Sequence, residues 1–343
     1  MPVYGVEDYV AKAIESILAQ TFRDYEFLIV DDGSPDQSGA ICDRYAAKDT
    51  RLTVFHNENQ GAPAARNFAI ERARGDYLYF MDSDDWAEPT MLEDMVSLAK
   101  ANDAQLVVTG FYIDTYYDAA HFVTEEKALP SRVFASQREF RENAAALFDR
   151  NLLYTPWNKL YSGAYIREHR LRFPQTFWDD FPFNLSVLRD VERVVLSENK
   201  YYHFIRASAE SDTARYHAGM YDKREEEHGW MVDLYRHWGV DDEQSREFLA
   251  RRYVERMIGC IENVTTPACT LSPKEKRAEI RHLLTSERLH ELLPQMKPRS
   301  AYMRLLLVPV RHGDVYLTYL AGRCISKVKS GNVKLFATLK ANR

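Results

Sequence analysis

Phe27-Leu28-Ile29-Val30-Asp31-Asp32-Gly33-Ser34 is a short apolar run that stops on two carboxylates and a glycine. Four consecutive apolar residues mark a strand covered on both faces, as in parallel sheets sandwiched between helices. A second break of the same kind follows Tyr77 to Met81, at Asp82-Ser83-Asp84-Asp85. In open parallel sheets ligands bind beyond the carboxyl ends of the strands, so these two clusters are the first places to look for chemistry. A single acid at a strand end can be only a turn former or a helix cap. Two clusters at neighbouring strand ends crowd like charges, which calls for a cation or for hydrogen-bond donors. Asp-x-Asp on a loop can turn two carboxylates toward one hard divalent cation that also holds substrate phosphates.

Outward from these breaks, strand and helix signals alternate. Val10, Ile14, Ile17 and Leu18 recur at helical spacing, and Asp36 or Ser38 can cap a helix running to about Ala47. Leu52 to Phe55 reads as a strand, Pro63 opens a helix that Gly75 closes, and Thr90 to Ala101 is a further helix before a strand at Gln105 to Tyr112. This order predicts an α/β fold with a mostly parallel sheet and helices on both faces. The chain opens on Met1-Pro2-Val3-Tyr4 and passes directly into a helix, so the first strand is expected to be truncated. Beyond Tyr202 the pattern is charged and helical in period, and Pro294 and Pro298 bracket a break. The expected organisation is a nucleotide-binding catalytic domain over 1–210, then a smaller, mainly helical region over 211–343 with a tail at 297–343.

The 343 residues are 45% hydrophobic and 28% charged, an ordinary globular composition with ample length for a core. The net charge of −6 argues against nonspecific nucleic-acid coating. It is unevenly spread: from Lys297 onward Asp314 is the only acid among many Lys and Arg. Cys42, Cys260, Cys269 and Cys324 are far apart without zinc spacing, which suits a reduced, cytoplasmic setting. No signal peptide and no apolar run of about 18 residues is visible. There is no Walker loop, no G-x-G-x-x-G after a strand and no G-x-S-x-G elbow, so kinase, dehydrogenase and esterase readings lose their support.

Six motifs in order carry a resemblance: Pro2-Val3-Tyr4, Val30-Asp31-Asp32-Gly33-Ser34, Ala65-Arg66-Asn67, Asp82-Ser83-Asp84-Asp85-Trp86, Trp157-Asn158-Lys159-Leu160 and Trp178-Asp179-Asp180. Together they resemble family-2 glycosyltransferases of the GT-A fold, most closely the bacterial enzymes that build capsular and extracellular polysaccharides. The resemblance covers roughly residues 1–210.

It implies an inverting transfer from a nucleotide-diphosphate sugar, a UDP-sugar being favoured because a carboxylate suits uracil N3–H, with Mn²⁺ or Mg²⁺ as cofactor. Pro2, Val3, Tyr4 and Asp32, with Asp31, would contact the nucleoside, and Arg66 the nucleotide or its phosphates. Asp82 would reach the ribose or the metal, and Asp84 would be the main metal ligand. The base role falls on Asp180, with Asp179 as the lesser candidate where the family carries Glu; without the other motifs Asp180 would read as a helix N-cap. Trp157 could stack on a sugar or sit in the core, and His203 reads more readily as a core residue. Gly5 stands where the family usually has Asn, and the Q-x-x-R-W motif of processive synthases is absent.

The expected partners are the nucleotide-sugar donor and a glycan or lipid-diphosphate-linked acceptor, with room for a homodimer. The basic tail adds either a helix packed on the protein or a peripheral contact with an anionic membrane at the cytoplasmic face. A catalytically inactive glycan-binding scaffold and a sugar-phosphate nucleotidyltransferase are the alternatives. The second depends on an N-terminal Gly-rich loop with Arg and Lys, which this sequence lacks.

Overall fold

The computed structural model describes residues 1–116, 121–176, 178–206 and 216–331. The chain divides into two units, one of Met1–Asp114 with Thr124–Ile205, the other of Thr115–Val123 with the chain from Arg206 onward. The expected boundary at residue 210 lies outside the described residues.

The first unit opens with β1 (Pro2–Val3), α1 (Val10–Leu18), β2 (Phe27–Asp31), α2 (Ser38–Ala46), β3 (Leu52–His56) and α3 (Ala62–Arg72). It continues through β4 (Tyr77–Tyr79), β5 (Trp86–Ala87), α4 (Met91–Ala101), β6 (Leu106–Tyr116), β7 (Phe122–Lys127), β8 (Arg132–Val133) and α5 (Gln137–Asp149). After these come β9 (Lys159–Ser162), α6 (Gly163–Glu168), α7 (Asp180–Asp190) and β10 (Val194–Arg206). The helix after Pro63 ends at Arg72, before Gly75, where Ala73 turns extended.

The strands form two sheets. In the first, ordered β1-β2-β3, all pairing is parallel, with Phe27 opposite Leu52 and Pro2 opposite Val30. The second runs β4-β9-β6-β10-β5, and there β9 lies antiparallel to both β4 and β6. Strands β4 and β6 therefore point the same way, with β9 inserted between them, and β10 lies antiparallel to β5 and β8, so this sheet is mixed where a mostly parallel one was expected. Strand β9 comes from a part of the sequence far from its neighbours, which local periodicity cannot foresee.

Strand β1 comprises the two residues Pro2 and Val3. Only Pro2 and Val3 pair with β2, and the Met1 ammonium donates to Leu28 O at 2.9 Å. Between β2 and β4 lies a cavity of about 530 Å³, lined by Ile17, Phe27, Leu28, Ile70, Leu78 and Val96 among others. Neither Asp32, Asp84 nor Asp180 lines it, so it lies apart from the acid clusters.

The second unit contains α8 (Met220–Trp238), α9 (Glu243–Thr265), α10 (Pro273–Leu284), α11 (Glu287–Leu292), α12 (Ala301–Arg311) and α13 (Val315–Gly331). Helix α9 packs against α8, α10, α11 and α13, and its buried stripe includes Phe248, Tyr253, Met257 and Ile261. Ser272 and Glu275 form a reciprocal capping box at the start of α10. Among the described residues no helix is long and apolar enough to cross a membrane.

Candidate active site

Three segments of the first unit converge on Arg66. Helix α3 carries it, and Pro63 in the first turn of that helix costs no hydrogen bond. Its guanidinium is 6% exposed; Nη2 donates to Asp82 Oδ1 at 2.7 Å and Nη1 to Asp179 Oδ2 at 2.8 Å. Nη1 also lies 3.0 Å from Asp180 Oδ1 as an ion pair. The ring of Phe173 lies 5.1 Å from the guanidinium. Asn67, the next residue, clamps Phe173 by exchanging hydrogen bonds with its N–H and C=O, each at 2.8 Å. Arg-Asn thus supplies the cation and fixes the segment packed against it.

One guanidinium faces three carboxylates, so negative charge is in surplus. Burial pushes Asp180 up to about 7, with Asp82 and Asp179 adding to the rise while Arg66 and Lys159 pull it down. Asp179 is raised for the same first reason. Neither acid caps α7: Asp179 stands at the N-cap without a side-chain cap bond, and Asp180 is the first helical residue. The cap reading of Asp180 is therefore set aside. Trp178, just before the pair, adopts φ 59°, a left-handed conformation uncommon for a non-glycine residue and typical of constrained functional turns. Asn184, one turn on, donates to Asp180 O at 2.8 Å and accepts from Tyr161 Oη at 2.8 Å, holding that helix start.

The acid loop between β4 and β5 is pinned from β10. Tyr202 Oη donates to Asp85 Oδ2 at 2.6 Å and accepts from Asp82 N at 3.1 Å, while Ile205 N donates to Asp85 Oδ1 at 2.7 Å. Asp85 is buried and serves as an anchor. Asp84 is free of such ties: no other residue donates to its carboxylate among the described residues, and its side chain reaches solvent. Desolvation within the cleft, then the charge of Asp82, holds Asp84 up at about 6. This donor set fits a divalent cation held by one or two carboxylates and completed by substrate phosphates, as Mg²⁺ and Mn²⁺ prefer. It does not make a closed cage, and no cluster of three or more His, Cys, Asp or Glu capable of holding a metal occurs among the described residues.

At the expected nucleoside end, Asp31 and Asp32 are both spoken for. Asp31 accepts from Ser34 N at 3.0 Å and bonds His56 Nδ1 at 2.8 Å, beside Gly39, where a Cβ would come within 2.5 Å of Asp31 Oδ2. Asp32 accepts from Gln60 N at 3.0 Å and Gly61 N at 2.7 Å, bracing the loop before α3. Val3 is buried, and its carbonyl accepts from Asp32 N, so it builds the sheet. Pro2 is half-buried in β1, and Tyr4 stands exposed beyond it.

A family model described as Glycosyl transferase family 2 matches residues 1–169. A Haemophilus influenzae glycosyltransferase is 30% identical over 208 residues, spanning 60% of this chain and 77% of that protein. The chain belongs to glycosyltransferase family 2. It is also similar to the glycosyltransferase EpsJ of Bacillus subtilis, 28% identical over 296 residues, 85% of this chain and 84% of EpsJ. Among solved structures, S. aureus TarS 1–349 in complex with UDP-GlcNAc shares the fold with a TM-score of 0.63 at 18% identity, over 96% of this chain and 90% of that one. The expected GT-A architecture is the architecture of this glycosyltransferase.

One expected donor contact of this glycosyltransferase needs correction. Trp157 is buried, stacked on Tyr202 at 4.4 Å and edge-on to Phe111 at 4.6 Å, so it has no open face for a sugar. It backs the tyrosine that pins the acid loop. Asn158 and Lys159 are structural too: Asn158 Nδ2 donates to Thr109 O and Leu152 O, and Lys159 Nζ donates to Thr155 O at 2.6 Å. His203 lies between the rings of Trp86 and Tyr112 and bonds Asp114 and Glu88, a core arrangement. Sequence reasoning passed over Tyr202 and Asn184. The Tyr201-Tyr202-His203-Phe204 run was a visible signal for the first, and Asn184 had none.

Proposed function

We propose that this glycosyltransferase moves a sugar from a UDP-sugar to a hydroxyl of a glycan or lipid-diphosphate-linked acceptor in polysaccharide biosynthesis, with inversion at the anomeric carbon, at the cytoplasmic face of the cell. The observation that carries this reading is the gathering of Asp82, Asp179 and Asp180 around the single guanidinium of Arg66. It joins a phosphate-facing acid loop to a carboxylate in the range suited to a base. The UDP-GlcNAc bound by TarS supports the choice of donor class.

Asp84, with Asp82 beside it, would hold Mn²⁺ or Mg²⁺, which supplies neutralisation of charge on the departing diphosphate. Asp180 takes the proton of the acceptor hydroxyl as that oxygen attacks the anomeric carbon opposite the leaving group. One in-line displacement inverts the centre, so no protein nucleophile is required. Tyr202 keeps the acid loop in place through Asp85, and Asn184 keeps Asp180 at its helix start. Arg66 sets the spacing between the two carboxylate groups.

UDP release from a panel of UDP-sugars, with Mn²⁺ or with excess EDTA, tests this directly. Turnover is expected with the metal and is expected to vanish in EDTA and in Asp84→Ala, together with Mn²⁺-dependent UDP binding measured by calorimetry. Full turnover in EDTA would overturn the metal-dependent reading.

A further inference from the structure

Helices α12 and α13 each present two apolar faces. On one, Met303, Leu306, Leu307, Val310 and Tyr319 are buried among the helices of the second unit, and α13 packs on α9 and α10. The tail is therefore a packed helical pair over its described part; residues 332–343 lie outside the described residues. On the other face Leu305, Val308, Tyr316, Leu317 and Leu320 are between 37% and 74% exposed. Their spacing is helical, 305 and 308 on α12, then 316, 317 and 320 on α13. Isolated exposed apolar residues need no explanation, but five on two adjacent, mutually packed helices form a surface that water disfavours.

The rim of this surface has one sign. Arg304 and Arg311 flank the apolar positions of α12, and Arg323 follows those of α13, all exposed. No acid pairs with Arg304, Arg311 or Arg323 among the described residues. Asp314, between the two helices, is half-buried and accepts from Leu317 N at 2.9 Å, which spends it on the start of α13. An apolar stripe edged by exposed cations that form no ion pair among the described residues matches the interface of an anionic bilayer, where the stripe sinks below the headgroups and the cations meet their phosphates. A protein partner would meet the apolar stripe equally well, but three cations without a balancing acid favour a surface of continuous negative charge.

We propose that the outer face of the α12–α13 pair docks this glycosyltransferase on anionic lipid. The surface is independent of the acid loop and of Asp180, so it stands or falls apart from the catalytic reading. Removing the whole tail would unpack the buried face as well; point changes on the exposed face avoid that. The test is flotation of the full chain with phosphatidylcholine vesicles, with and without phosphatidylglycerol. Wild type is expected to bind only the anionic vesicles, and to be released by salt. Arg304→Gln with Arg311→Gln is expected to weaken partition about 30-fold, since each basic residue near such a surface contributes about 1 kcal/mol. Leu305→Asn with Leu317→Asn is expected to weaken it as well, with the melting temperature and UDP binding of both variants unchanged. Binding equal in wild type and variants, or absent at low salt, overturns the proposal. So does a dimer that the Leu317→Asn change dissociates, which would make the stripe a contact between two copies.

Discussion

Arg66 and Asp180 form a buried ion pair, Nη1 to Oδ1 at 3.0 Å, in which the acid is not hydrogen-bonded to the cation. The guanidinium donates its bonds to Asp179 and Asp82 instead. Asp180 thus receives charge stabilisation without a donor bound to that oxygen, and burial keeps it up at about 7. A carboxylate in that condition is a better proton acceptor than one fully solvated or fully bonded.

Asp180→Asn preserves shape while removing the proton acceptor. Transfer is expected to fall roughly 10²–10⁴-fold, the usual scale for general-base catalysis. UDP affinity by calorimetry should stay near that of the wild type. A dead Asp179→Asn beside an active Asp180→Asn would move the role by one residue. Because the base must be ionised, kcat/KM should rise with pH up to about 7 and then level, and Asp180→Asn should lose that rise.

Arg66→Ala leaves Asp82, Asp179 and Asp180 crowded without their cation. Removing one partner from a buried ionic cluster costs about 3–5 kcal/mol, so chemical denaturation should show a loss of that order or a chain that fails to accumulate. Arg66→Lys keeps the charge but cannot fork to two acids, and should fall between the two. Wild-type stability in Arg66→Ala would show that the carboxylates find another counter-charge.

In the second unit Glu227 is buried and bonded by Arg224, Arg252 and Arg256. Burial alone would raise its carboxyl; Arg256, Arg252 and Arg224 overcome this and hold it at about 2. A lowered native value stabilises above the unfolded value near 4.5 and is lost as pH falls toward 2. The shift corresponds to roughly 3 kcal/mol. Urea titrations should show stability dropping across that acid window in wild type and a flatter dependence, from a lower start, in Glu227→Gln.

The gap between β2 and β4 offers a gain of stability. A strand of four or five Val and Ile residues appended ahead of Met1 would fill the cavity of about 530 Å³ and bridge the two sheets. Burial of the added side chains and ladder hydrogen bonds to β2 would act together against the ordering of the added residues. The melting temperature should rise by several degrees, whereas a Gly-Asp extension should leave it unchanged or lower it. No difference between the two extensions would show that the cavity does not take a strand.

Local chemistry carried much of this protein in the open. The apolar run Phe27 to Val30 forms most of the central β2, Val10 to Leu18 is a helix, and the acids sit at or just beyond the ends of β2 and β4, because side-chain period and turn chemistry act over a few residues. What tertiary structure decided is who meets whom. Arg66 and Asp179 are 113 residues apart, and Asp82 and Tyr202 are 120 apart. No periodicity encodes those pairings. Trp157 looked as suited to a sugar as to a core until Tyr202 and Phe111 were found against it. The tail resolved the same way: its apolar residues could be counted in advance, but only packing on α9 and α10 separated the buried face from the face left to water. Burial and long-range contact are properties of the folded surface, set when distant segments exclude water together, and a linear pattern does not contain them.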